Sequence, residues 1–193
     1  STNSNGHHIG FVHKGEWIKY TINVKESGAY KAIARYAAES DGGQFHLSLN
    51  GEDITTTQTV SGSDSWYKFV NHTDINNIIL DKGDHSFKIH FDSETPFNIS
   101  SLQFTKTGEA SSVDFVALNG NTDADEKSIS ISLNHSVDSS TIGDIKNEFK
   151  LLVNGIEREI NSISASDTKE RTFIINAADP FLYSDEIKVT YTG

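Results

Sequence analysis

Short segments in which apolar and polar residues alternate recur along the whole chain, a pattern typical of β-strands. Ile18, Tyr20, Ile22 and Val24, for example, alternate with polar side chains. Further segments of this kind in the first half are 30–36, 45–49, 66–70, 77–80, 87–91 and 99–104. Gly, Asn, Asp and Ser separate the segments at intervals of roughly 8–12 residues, which is the spacing expected of a β-sandwich.

A second series of strand segments follows a small, polar stretch at 107–112 that shows no periodicity. It begins with Val113, Phe115 and Ala117. It continues through 129–133, 149–153, 160–163, 173–175 and 187–191, and one short helix is predicted over 139–149. The pattern predicts an all-β protein with two β-sandwich domains in tandem, residues 1–107 and 113–193, joined by a linker at 108–112.

The charge and composition of the chain exclude several classes of function. With 16 Lys and Arg against 27 Asp and Glu, the net charge is −11. Nucleic acids and anionic membranes require clustered basic residues, so neither is expected as a partner. No apolar segment is long enough to span a bilayer. The chain has no Cys, which excludes thiol catalysis, zinc–thiolate sites and disulfides.

No catalytic motif is present in the sequence. Glycoside hydrolysis needs two carboxylates at a fixed separation, and the many Asp and Glu residues show no pattern that marks such a pair. A Gly-x-Ser-x-Gly motif is also absent. The sequence therefore predicts a protein that is not an enzyme.

Two clusters contain metal-ligating residue types, and the identity of any metal ligand stays unknown. His7, His8 and His13 lie close in sequence, but no spaced carboxylate or Cys accompanies them, so a polar loop is favoured. The acidic run 123–126 offers oxygen atoms that suit calcium. It lacks the glycine and terminal Glu of a helix-loop-helix site, so a solvated turn is the favoured interpretation.

Strand alternation assigns one polar face of the first domain. If Ile18 and Ile22 face the core, then Trp17 and Lys19 face away from it. The same rule turns Ser48 and His90 outward on their strands. A polar face with one large aromatic ring suits an oligosaccharide, because the ring can stack on a sugar and the polar groups can bind its hydroxyls. The alternative is that Trp17 is a half-buried residue under a loop.

Aromatic residues also occur in polar loops of the first domain. Phe11 follows Gly10, Trp66 ends the polar stretch 61–65, and Phe97 and Asn98 follow Pro96. Loops at one end of a sandwich carry function more often than its core does, so these residues are candidates for ligand contact. The alternative is that each ring closes the end of the core.

The first 107 residues resemble family 6 carbohydrate-binding modules. The runs that carry the resemblance are GFV at 10–12, KGEWIKY at 14–20, INV at 22–24, SGAY at 27–30, GG at 42–43, LNG at 49–51, LDKGDHSF at 80–87 and FNIS at 97–100. Their order and spacing extend over the whole domain. The resemblance implies a jelly-roll-like β-sandwich that binds carbohydrate.

The resemblance implies two sugar sites. At the loop end, Phe11 and Trp66 would enclose a sugar ring, and Asn98 would bind its hydroxyls. Members of the family usually have Tyr at the position of Phe11, so the sugar preference is expected to differ. On the concave sheet face, Trp17 would bind sugar with Lys19, Ser48 and His90 as its neighbours.

The resemblance also implies a structural calcium ion, held in part by a Glu in an N-terminal strand. This sequence begins after that strand, so the chain reads as a fragment, or as one that lacks an N-terminal piece. An unpaired edge is therefore expected in the first sandwich.

Residues 113–193 resemble, more weakly, the small immunoglobulin-like domains found beside catalytic modules in bacterial polysaccharide-degrading enzymes. VDF at 113–115, VNG at 153–155 and IKVTY at 187–191 carry this resemblance. The implied protein is secreted or on the surface of a bacterial cell, and a catalytic domain belongs to the same parent protein.

The implied function is non-catalytic binding of a polysaccharide or oligosaccharide, which would target an attached glycoside hydrolase to its substrate. The ligand would belong to the β-glucan, xylan or agarose class. The alternative is a structural spacer or a cell-surface adhesion module without sugar specificity.

Overall fold

The computed structural model describes residues 7–110 and 116–192, apart from the side chains of residues 73 and 74. The chain divides into two compact units, residues 1–114 and residues 115–193. Each unit has a hydrophobic core of its own. In the described part of the chain, no helix is both long and apolar enough to cross a membrane.

The first unit contains two antiparallel sheets. Its strands are β1 (Trp17–Val24), β2 (Gly28–Ala37), β3 (Gly43–Leu49), β4 (Glu52–Asp53), β5 (Gln58–Val60), β6 (Val70–Leu80), β7 (Gly83–Phe91) and β8 (Asn98–Gly108). One sheet has the order β1-β7-β3-β4, and β5 pairs with β3 at its end. The other sheet has the order β6-β2-β8. We call them the five-stranded sheet and the three-stranded sheet.

The core of the first unit lies between these two sheets. Phe45 and Phe91 face it from the five-stranded sheet, and both are fully buried. The small side chains of Ala32 and Ala34 on β2 face it from the three-stranded sheet. Because small residues stand opposite large ones, the two layers can approach closely and fill the interior. The predicted all-β sandwich fold is confirmed.

Two expectations for the loops of the first unit are wrong. Residues 66–69 do not belong to a strand, because the hydroxyl and carbonyl of Ser65 accept hydrogen bonds from the amides of Tyr67 and Lys68 and close a turn. Strand β6 therefore begins at Val70. Phe97 is not a surface residue of the last loop: it is 1% exposed, and its ring lies 5.6 Å from that of Phe91.

The unpaired edge expected in the first unit stays a prediction, because residues 1–6 lie outside the described part of the chain. Strands β1 and β8 are edge strands of their sheets, and an isolated pair between Ile9 and Ile99 adds two hydrogen bonds to β8. Tyr20, which alternation predicted to face the core, is nearly half exposed at this edge. It lines a cleft of about 400 Å³ whose apolar wall includes Phe87 and Phe104. The position of Tyr20 on the edge strand β1, beside this cleft, explains its exposure.

The second unit is also built from antiparallel strands. They are β9 (Ala117–Thr122), β10 (Ser128–Leu133), β11 (Phe149–Val153), β12 (Ile156–Arg158), β13 (Ile160–Ala165), β14 (Thr172–Ala177) and β15 (Ile187–Tyr191). The sheets have the orders β13-β14-β10-β9 and β12-β11-β15. Their core joins Phe173 and Ile175 of one sheet to Leu151 and Val153 of the other. The immunoglobulin-like assignment stays a prediction, and Val113 and Phe115 lie outside the described residues.

The helix predicted over 139–149 is not formed. A single 3-10 turn at Lys146–Glu148 precedes β11, and 139–145 consist of turns. The Asp138 carboxylate accepts hydrogen bonds from the amide and hydroxyl of Ser140. Such local bonds from Asp and Ser compete with helical ones, and Gly143 disfavours a helix further.

Candidate functional site

The outward face of the five-stranded sheet carries an ordered array of polar and aromatic side chains. Strand pairing places Trp17, His90 and His46 in one row across β1, β7 and β3. The neighbouring row consists of Lys19, Lys88, Ser48 and Asp53 on β1, β7, β3 and β4. We call these two rows the sheet-face site. The predicted residues Trp17, Lys19 and His90 therefore lie together.

The imidazole of His46 lies between two carboxylates. Its Nδ1 is 2.8 and 2.9 Å from the two oxygens of Asp92, and its Nε2 is 3.3 Å from an oxygen of Asp53. Both ring nitrogens can donate only when the ring is protonated, so this geometry favours the imidazolium. Burial lowers the pKa of His46, but the hydrogen bonds and charges of the two carboxylates outweigh it, and the net pKa is raised.

His90 is stacked on His46 but titrates in the opposite direction. The two rings are 4.4 Å apart and inclined by only 2°. Burial and then the positive charge of His46 lower the pKa of His90. Its Nε2 lies 2.8 Å from the hydroxyl of Ser48. His90 is thus a neutral hydrogen-bonding group beside Trp17. Asp53 and Asp92 are bound by His46 instead.

Trp17 presents its ring at the surface of the sheet. The residue is 52% exposed, and the ammonium of Lys88 lies 4.4 Å from the ring centroid. This distance is that of a cation–π contact. Lys19 is exposed and stands directly opposite Lys88 in the ladder between β1 and β7. The row of Trp17, His90 and His46 therefore adjoins a pair of lysines.

Among the predicted residues of the loop end, the structure joins Asn98 to Trp66 and places Gly10, the neighbour of Phe11, against Asn98. Asn98 is 8% exposed, and its Nδ2 donates to the main-chain carbonyl of Trp66 at 2.8 Å. A Cβ at Gly10 would collide with the amide oxygen of Asn98, so this position requires glycine. Phe11 follows with a left-handed backbone (φ 58°) and is 95% exposed. Trp66 is partly buried. The hydroxyl-binding role of Asn98 stays a prediction.

The described residues include no group of three or more His, Asp or Glu side chains placed to hold a metal ion. In the acidic run 123–126, the carboxylate of Asp125 accepts hydrogen bonds from the hydroxyl and amide of Ser128 and from the amide of Lys127, which lowers its pKa. Asp123 accepts from the hydroxyl of Ser130. These carboxylates stabilise a turn. The calcium ion implied by the family resemblance stays a prediction.

Sequence reasoning did not include His46, Asp53, Asp92 and Lys88 among the site residues. Alternation did place His46, Lys88 and Asp92 on the outward face. Asp53 was missed because β4 has only two residues. A signal for it existed, since the two-residue turn of Asn50 and Gly51 sets Asp53 opposite Ser48. At the loop end, the largely exposed ring of Tyr67 was missed beside Trp66.

The first unit is a two-sheet antiparallel sandwich with an aromatic, polar sheet face and aromatic loops, features that suit a carbohydrate-binding module. The family model "Carbohydrate binding module (family 6)" matches residues 1–106. The chain therefore belongs to family 6 of the carbohydrate-binding modules, as the sequence motifs predicted. These modules bind carbohydrate and are not catalytic.

Several solved structures are similar to the first unit. The C-terminal family 6 module of LamC, a laminarinase from Zobellia galactanivorans, is 28% identical with a TM-score of 0.48, covering 52% of this chain and 81% of that one. A module of lichenase 5A from Cellvibrio mixtus, in complex with cellotriose, is 22% identical with a TM-score of 0.49, covering 55% and 83%.

A β-1,3-glucan-binding family 6 module from Bacillus halodurans is 18% identical with a TM-score of 0.46, covering 53% of this chain and 78% of that one. No curated protein matches the sequence.

Proposed function

We propose that the first unit binds a polysaccharide through the sheet-face site and targets an attached glycoside hydrolase to it. The observation that carries this proposal is the open ring of Trp17 within a row of side chains fixed by hydrogen bonds. Membership of the carbohydrate-binding family supports the class of ligand.

The sheet-face site offers both kinds of contact that a sugar needs. The apolar face of a pyranose ring can stack on Trp17, which removes apolar surface from water. His90, Ser48 and Lys19 supply polar groups for hydroxyls. His90 is already held by its stack on His46 and by Ser48. A site that is ordered before binding loses less conformational entropy when the sugar arrives.

The loop end is a second candidate for sugar binding. Phe11 is almost fully exposed there, on a backbone turn fixed by the close contact between Gly10 and Asn98. An exposed ring held on an ordered loop can also stack on a sugar. Variants at Trp17 and at Phe11 separate the two sites.

The proposal also covers the role of the module in its parent protein. The module would be part of a secreted or surface-bound bacterial protein, and the second unit would link it to a catalytic domain that degrades the bound polysaccharide. The sugar would come from the β-glucan, xylan or agarose class.

The test is calorimetric titration of the full chain with oligosaccharides of these classes, beside Trp17→Ala, Phe11→Ala and Trp66→Ala. Trp17→Ala should weaken binding at least about tenfold, equivalent to ~1.4 kcal/mol, because the one large aromatic ring of a small site carries much of the affinity. Tyr183→Ala is the matched control: this ring is fully exposed in the second unit and should not change the affinity.

Each alternative has its own result. Loss of binding only with Phe11→Ala and Trp66→Ala would move the site to the loop end. Absence of binding to every sugar by a folded protein would favour the structural-spacer function.

A further inference from the structure

We infer that the ligand of the sheet-face site is an acidic glycan, whose sugar rings carry carboxylate or sulfate groups. This inference rests on the proposed function of that face. It is carried by two lysines that the sheet brings together beside the exposed ring of Trp17.

Lys19 and Lys88 stand directly opposite each other on the same face of β1 and β7. Like charges in this position destabilise a sheet. The ion pairs within 4.0 Å among the described residues include neither of these lysines. The juxtaposition is unfavourable for folding and suits the binding of an anion, which would lie between the two ammonium groups.

Three carboxylates on this sheet are bound to other groups. Asp92 and Asp53 both hold the imidazole of His46. Asp84, four residues before Lys88 on β7, accepts a hydrogen bond from Asn23. In a chain with a net charge of −11, the sheet-face site therefore carries two ammonium groups that have no carboxylate of the described residues within 4.0 Å.

The contact between Lys88 and Trp17 further favours an acidic sugar over a neutral one. The ammonium lies 4.4 Å from the ring centroid and covers one face of the indole. A neutral sugar that stacks on this face displaces the ammonium and offers it only uncharged hydroxyl acceptors. An acidic sugar can stack on the ring while its anionic group pairs with the displaced ammonium and with Lys19. Fixed cationic groups thus discriminate between sugars of the same shape.

The experiment compares three oligosaccharides of equal length: a neutral β-glucan, a uronate oligomer and a sulfated galactan oligomer. Each is titrated calorimetrically into the full chain at pH 7, at low and at high salt. One or both acidic oligomers should bind about tenfold more tightly than the neutral one at low salt, and the advantage should fall as salt is added. The two acidic arms tell which anionic group is bound.

The double variant Lys19→Gln and Lys88→Gln should lose this preference. Lys25→Gln, at an exposed lysine in the turn after β1, is the matched control and should keep it. Since the salt dependence is measured on the unaltered chain, the inference is tested even if the double variant folds poorly.

Equal or tighter binding of the neutral oligomer, abolished by Trp17→Ala, would overturn the inference and leave the proposed function standing. An acidic preference that does not respond to salt would also overturn it. Binding that ignores Trp17→Ala, or absence of binding, would overturn both proposals.

Discussion

His46 holds the two carboxylates of the sheet face in place. The imidazole of His46 binds two carboxylates. The ring of His90 stacks on that imidazole but stays neutral. The two histidines therefore respond to pH in opposite senses. The pKa of His46 is raised and that of His90 is lowered.

Replacing His46 with Gln should destabilise the first unit most at low pH. A raised folded-state pKa gives stability that is fully present below the unfolded value of about 6.5 and is lost as pH rises through the folded pKa. The loss of charge-assisted hydrogen bonds to Asp53 and Asp92 should cost about 1–3 kcal/mol near pH 6. The difference between wild type and variant should shrink towards pH 9.

Urea unfolding at several pH values, followed by tryptophan fluorescence, measures this difference. The lowered pKa of His90 acts in the opposite sense, and Lys88 also faces the pair, so the comparison is made with the variant at each pH. His13→Gln, at an exposed histidine before β1, is the control. A difference that does not change with pH would contradict a raised pKa of His46 in the folded protein.

The sequence predicted which residues lie on the sheet face, but not how they contact each other. Alternation alone placed Trp17, Lys19, Ser48 and His90 on one face, because successive side chains on a strand point to opposite sides. It did not give the interactions between them. Trp17 and His90 are 73 positions apart in the sequence. Strand pairing brings them together, and periodicity does not encode strand pairing.

At the scale of elements, the strands that sequence reasoning missed are the shortest ones. β4 and β5 have two and three residues, too few to show alternation. β5 is held by its contact with β3, where Gly43 is paired with Val60. Its placement depends on close approach between neighbouring strands of one sheet, which is a property of packing.

Gly43→Ala should destabilise the first unit by about 1–3 kcal/mol through overpacking. A Cβ at this position would lie 2.6 Å from a methyl of Val60 and 2.7 Å from the ring of Phe97, both of which are buried. Urea unfolding followed by tryptophan fluorescence measures the loss. Gly120→Ala, where a Cβ meets nothing within 4 Å, should leave the stability of its own unit unchanged by circular dichroism. Unchanged stability of Gly43→Ala would mean that β5 can separate from β3 at no cost.

At the scale of the whole molecule, the all-β composition of the chain was predictable and the order of its strands was not. Segment lengths and turn residues identify strands locally. The order β1-β7-β3-β4 joins distant parts of the chain, and several arrangements bury the same apolar faces. The motif resemblance predicted a jelly-roll-like sandwich for the first unit, but not the order of its strands.

The two cores should respond to mutation separately. Leu151 is fully buried in the core of the second unit, and truncation to Ala should cost that unit about 2–5 kcal/mol. Trp17 and Trp66, the only tryptophans of the chain, belong to the first unit. Leu151→Ala should therefore lower the urea midpoint seen by circular dichroism without moving the fluorescence transition.

Leu47→Ala is the matched variant, because Leu47 is equally buried in the core of the first unit. It should move the fluorescence transition. If Leu151→Ala moved both transitions together, the two units would unfold as one cooperative body.

The hydrogen bond from Asn98 to Trp66 has a consequence for how the loop end can change. The bond is accepted by the main-chain carbonyl of Trp66, so it does not depend on which side chain residue 66 carries. Other rings, or none, can occupy that position while the loop stays attached to the buried amide. The side chain at position 66 can thus be varied, by evolution or in directed libraries, without removing the hydrogen bond that attaches the loop.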